Sequence, residues 1–134
     1  EYSVYMINQQ DKIKKIDEST LASLGGTSGL ASPLVRRVIT LYRQEAEKMV
    51  HGIEKALSDG DVITAFRAAH SLKSSSASIG AHTLSEVAKQ LESLIKQGHL
   101  QQAESWLVVL RTEYTQLMDE LVFFEQKLSA IEQS

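Results

Sequence analysis

The chain has 134 residues, enough for one compact domain with a single core. Its 43% apolar and 23% charged residues are ordinary for a globular protein, while seven Gly, one Pro and few aromatics leave little material for an all-β fold. A formal charge of −3 argues against a phosphate-backbone binder, and the absence of cysteine excludes disulfides, thiolate zinc sites and thiol nucleophiles.

Residues 1–18 open with Tyr2, Val4, Tyr5, Met6 and Ile7, then turn polar; they read as a linker or loosely docked leading segment, with the domain over 19–134. In "DESTLASLGG" a cap at Asp17 or Ser19 and a stop at Gly25–Gly26 predict a short helix, and "TSGLAS" reads as a loop. Ser32 then caps a helix with Pro33 in its first turn, and Leu34, Val38, Leu41, Tyr42, Met49, Ile53 and Leu57 recur at helical spacing up to Ser58-Asp59-Gly60. Asp61 caps the next helix, which runs to Ile79 before Gly80 breaks it. Leu84, Val87, Ala88, Leu91, Leu94 and Ile95 mark another, closed by Gly98. From Ala103 through Trp106, Leu107, Leu110, Tyr114, Leu117, Leu121, Phe124 and Leu128 to Ile131 the pattern predicts one long amphipathic helix. Long amphipathic helices joined by short connections predict an all-α fold, an antiparallel four-helix bundle with a short extra N-terminal helix.

One stretch, "AAHSLKSSSASIG", is unusual for a helix. On a wheel of about 100° per residue, Val62, Ala65, Ala69, Leu72, Ser76 and Ile79 gather on one side, the predicted buried stripe. His70 falls roughly 120° from its centre and so faces solvent. An exposed imidazole is a competent nucleophile near neutral pH. Lys73, one turn on, can place an ammonium beside a phosphoryl group on the ring, and Arg67 can add a second cation from the other side. Phe66 supplies an apolar contact, while Ser74 and Ala77 are small enough to admit a partner. His51, His82 and His99 read as ordinary surface residues, Glu86 offering His82 a surface hydrogen bond or ion pair.

These residues resemble the histidine-containing phosphotransfer (HPt) domain of bacterial multistep phosphorelays. The matching elements are His70-Ser71-Leu72-Lys73-Ser74, the small residues up to Ile79, Gly80-Ala81, Leu84 and Leu91-Glu92, with "LSDGDVITAFRAAHSLK" leading in. Ser74 stands where the family commonly has glycine. The resemblance implies a phosphorelay intermediate in which His70 takes a phosphoryl group from a receiver-domain aspartate and hands it to another, and Lys73 stabilises its charge. Phe66, Arg67, Ser74 and Ala77 would meet the receiver, and Gly80 would be structural. No cofactor is expected in the chain itself, Mg²⁺ belonging to the partner receiver. No GxxxxGK[ST] pattern occurs, so no ATP site is expected. Neither nucleic acid nor direct membrane insertion is expected: no apolar run approaches the roughly 20 residues that cross a bilayer. The implied setting is cytoplasmic, as the C-terminal module of a membrane-anchored hybrid sensor kinase, in keeping with a chain that opens on Glu1.

Two other readings compete. One is a structural or adaptor bundle with no phosphotransfer. The other is a helix-turn-helix module with Leu84 to Leu91 as recognition helix, although Glu86, Lys89 and Glu92 make no basic face.

Overall fold

The structure, a computed structural model, describes residues 15–133. Their elements are α1 (Glu18–Leu24), a 3-10 helix (Gly26–Ala31), α2 (Pro33–Ser58), α3 (Val62–Ile79), α4 (His82–Lys96), α5 (Leu100–Ser105) and α6 (Leu107–Gln133). The fold is the expected all-α antiparallel bundle: α2, α3, α4 and α6 run up and down around one core, and α1 is the short extra helix. Residues 1–14 of the predicted leading segment lie outside the described residues.

The caps are those the sequence marks. The Asp17 carboxylate accepts from the Ser19 amide, Ser32 Oγ from that of Leu34, and the Asp61 carboxylate from that of Thr64. Hydrogen bonds to Ser19, Thr20 and His82 hold the Asp17 carboxyl well below the ordinary carboxylate range. His82 therefore pairs with Asp17, at 3.3 Å, in place of the predicted Glu86. Residues 15–17 are fastened down: the Lys15 and Ile16 amides donate to the Glu120 carboxylate at 2.9 and 3.1 Å, and Lys15 Nζ lies 3.0 Å from Glu113.

Three sequence expectations need correction. "TSGLAS" is not a plain loop: it makes 3-10 turns on either side of a kink at Gly29, whose φ of 55° and ψ of −137° are non-helical. The last predicted helix is two, interrupted at Trp106, whose amide is shared between the Gln102 and Ala103 carbonyls in a tightened turn. The buried face of α2 is rotated from the predicted stripe. Val35, Ile39, Tyr42, Ala46, Val50, Ile53, Ala56 and Leu57 are buried, while Leu34 and Leu41 are more than half exposed.

On α3 the predicted stripe holds for Ala65, Ala69, Leu72, Ser76 and Ile79; Val62, in the uncovered first turn, is 37% exposed. Small buried side chains let α2 and α4 close on α3 from either side. Tyr42 of α2 shares a buried hydrogen bond of 2.6 Å with Ser76, and burial, only partly offset by that bond, pushes the phenol up to about 12.

Gly80 ends α3 in the left-handed region at φ 91°. Its amide and that of Ala81 bond the carbonyls of Ala77 and Ser76, turning the chain into α4. A Cβ there would lie 2.9 Å from both the Asp17 carbonyl oxygen and Thr20 Cβ, and the Gly80 carbonyl accepts from the Asp17 amide. Gly80→Ala is therefore expected to cost about 2 kcal/mol or more in urea unfolding, since strain and collision add. A loss below about 0.5 kcal/mol would contradict this account of the corner.

Candidate functional site

Because the small, buried side of α3 faces inward, the opposite side carries the chemistry. His70 projects from the middle of the helix with its side chain 58% exposed. Phe66, one turn earlier and half-buried, lies nearly parallel to the imidazole, with the ring centroids 6.2 Å apart and the planes at 15°. Ser74 and Ala77 are exposed on the turns that follow, so the space beyond the ring is lined by small side chains. Arg67 is exposed one turn before His70 and lies within electrostatic range of Asp61.

The residue that organises the site comes from α4. Glu92 reaches across to α3 and divides its carboxylate: Oε2 hydrogen-bonds His70 Nδ1, and Oε1 accepts from Lys73 Nζ at 2.7 Å. Its side chain is only 14% exposed. Burial works against its charge, but the bonds from Lys73 and His70 outweigh that and hold the carboxyl below its ordinary value. Glu92 is therefore ionised near neutral pH and can only accept. Nδ1 must then be the donor, and a neutral ring keeps its lone pair on Nε2. Lys73 is held from behind as well, since Ser85 Oγ of α4 donates to its backbone carbonyl at 2.8 Å.

The sequence places His70, Lys73 and Phe66 correctly together, with Ser74 and Ala77 on the same outward side. It does not single out Glu92, which enters only as part of the Leu91-Glu92 pair. Arg67 makes no hydrogen bond with His70.

Comparison with known proteins identifies the family. The family model for the Hpt domain matches residues 37–120, which span α2 to the middle of α6. The chain belongs to the Hpt domain family. As an Hpt domain it is a phosphorelay intermediate of two-component signalling, a class of protein that works with receiver domains. Among solved structures it resembles the histidine-containing phosphotransfer protein HptB of Pseudomonas aeruginosa, at 24% identity and a TM-score of 0.75, over 87% of this chain and 96% of that one. It also resembles the histidine-containing phosphotransfer protein ZmHP2 of maize, at 24% identity and a TM-score of 0.73, over 91% of this chain and 95% of that one. No curated protein matches it significantly in sequence. Among the described residues, no helix is long and apolar enough to cross a membrane.

The state of Glu92 links the Hpt site to stability. Its carboxyl titrates lower in the folded chain than in the unfolded one, so its contribution is present above the unfolded pKa and fades as pH falls through the folded one. Urea unfolding of wild type and Glu92→Gln should differ most near pH 7, with wild type the more stable, and converge in acid. A gap that widens in acid would contradict the assignment.

Proposed function

We propose that His70 is the phosphoacceptor of this relay, charged by the aspartyl phosphate of one receiver domain and discharged to the aspartate of another. The observation that carries the reading is the division of Glu92 between His70 Nδ1 and Lys73 Nζ. A carboxylate on Nδ1 leaves Nε2 as the nucleophile and fixes the ring's direction, while the ammonium waits one helical turn away.

The step then balances without moving a proton. The Nε2 lone pair attacks phosphorus, the bond from phosphorus to the aspartyl oxygen breaks, and its electrons return to the aspartate. The ring becomes cationic with its proton still on Nδ1, where Glu92 offsets the charge. Lys73 turns toward the phosphoryl oxygens. In the second transfer the electrons of the Nε2–phosphorus bond return to the ring, restoring the same neutral tautomer. Phosphoryl transfer needs chiefly positioning and charge stabilisation, and the acidic pocket with its Mg²⁺ belongs to the receiver. Ser74 and Ala77 keep the approach open, and the hydroxyl of Ser74 adds a polar group within the opening.

Incubation with a phosphorylated receiver domain tests the assignment. Wild type should acquire acid-labile, base-stable label, and His70→Gln should acquire none; label retained in that variant would overturn it. Lys73→Ala should slow transfer by about 10- to 100-fold with helicity unchanged, the scale of removing one charge-stabilising donor. A transfer rate equal to wild type would remove Lys73 from the mechanism.

A further inference from the structure

The hydroxyl of Ser85 is used differently from the others in the bundle. Inside helices such groups commonly turn back onto a carbonyl of the preceding turn, as those of Ser23, Thr40, Ser78 and Ser105 do. Ser85, half-buried in the first turn of α4, instead crosses to α3 and donates to the backbone carbonyl of Lys73 at 2.8 Å. A helical carbonyl keeps a second lone pair beside its own ladder bond, and Ser85 occupies it.

Two features of the geometry connect this bond to the site. Glu92 follows Ser85 by seven residues, so it sits two turns further along α4, about 10 Å away and within about 20° of the same face. Because α4 runs antiparallel to α3, that face leads back from the level of Lys73 toward that of His70. Lys73 is consequently held at both ends, its carbonyl by Ser85 and its ammonium by Glu92 Oε1 at 2.7 Å. The contacts Ser85–Lys73–Glu92 close into a ring through the α4 backbone, and the other oxygen of Glu92 holds His70 Nδ1.

Apolar packing is a poor gauge of how far α4 slides along α3. Ala65 and Ala69 of α3 and Ala88 of α4 are fully buried and short, so they permit close approach without interlocking. Burial is non-directional, whereas a hydrogen bond has a distance and an angle to keep. The corner at Gly80 and Ala81 sets the coarse register of the two helices, and the Ser85 bond sets the fine one.

We infer that Ser85 is a positioning residue for the phosphoryl chemistry at His70. Its hydroxyl is committed to the Lys73 carbonyl, so it acts through Lys73 and Glu92, by locking the register that puts one carboxylate oxygen on Nδ1 and the other on the ammonium. With the Lys73 backbone pinned, only its side chain moves when the ammonium turns to the phosphoryl oxygens, and Glu92 stays on the ring. The inference rests on His70 being the phosphoacceptor.

Ser85→Ala, which removes the hydroxyl, and Ser85→Thr, which keeps it, test the role. Phosphoramidate serves as a small phosphoryl donor, and nitrogen-15 NMR reads the tautomer of neutral His70 without any transfer. In Ser85→Ala the Nδ1-protonated share of the ring should fall, and labelling by phosphoramidate should slow about three- to tenfold, the scale of one hydrogen bond's net contribution. Transfer from a phosphorylated receiver should lose the same factor in kcat with KM unchanged. Ser85→Thr should restore both tautomer and rate. A wild-type tautomer and rate in Ser85→Ala would overturn the inference, as would an equal loss in Ser85→Thr. So would a lowered urea midpoint with the tautomer unmoved, the mark of a hydroxyl that only holds the bundle together. Label that persists in His70→Gln would instead overturn the phosphoacceptor assignment beneath it.

Discussion

Glu92 stands between two helices with one oxygen on His70 and the other on Lys73, and much of the bundle serves to keep it there. A carboxylate that is largely buried is costly unless its oxygens are satisfied. Here the cost is offset by the two groups whose positions matter for phosphoryl transfer. A partly buried lysine–glutamate pair gains little net stability once its desolvation is counted. Its value lies in geometry: with Glu92 ionised and placed, the proton of a neutral His70 sits on Nδ1, and Lys73 is parked where a phosphoryl group can draw it away.

The surrounding fold explains why the arrangement is stiff. Ala65, Ala69 and Ser76 are fully buried and small, so α2 and α4 approach α3 closely. The Tyr42–Ser76 hydrogen bond ties α2 to the far side of α3, and Ser85 ties α4 to the backbone carbonyl of Lys73. Gly80 and Ala81 turn α3 into α4 within two residues, which sets the register that brings Glu92 opposite His70. The same corner receives the Asp17 amide, and the Lys15 and Ile16 amides cap the Glu120 carboxylate on α6. Burial pushes that carboxyl up, against the pull of the two amides.

The exposed side of α3 was legible because its buried side is defined by five residues at strict helical spacing, and a wheel is reliable where one face is wholly covered. Val62 escapes the pattern because it sits in the first turn, beyond the cover of neighbouring helices. On α2 apolar residues occupy adjacent stripes, so periodicity alone could not choose between Leu34 with Leu41 and Val35 with Ile39. That choice is made by packing against α3 and α6. Glu92 was hidden for a related reason. It is 22 residues from His70 on another helix, and helix spacing says nothing about which residue faces across an interhelical groove. The Leu91-Glu92 pair was its only trace in the sequence.

The central claim is that the carboxylate of Glu92 dictates which imidazole nitrogen reacts. Nitrogen-15 NMR of selectively labelled histidine, recorded at a pH where His70 is neutral and again after phosphorylation, tests it most directly. The account predicts a protonated Nδ1 and an unprotonated Nε2 before transfer, then a phosphorus–nitrogen coupling at Nε2 with the proton still on Nδ1. A neutral ring protonated on Nε2, or phosphorus coupled to Nδ1, would contradict it.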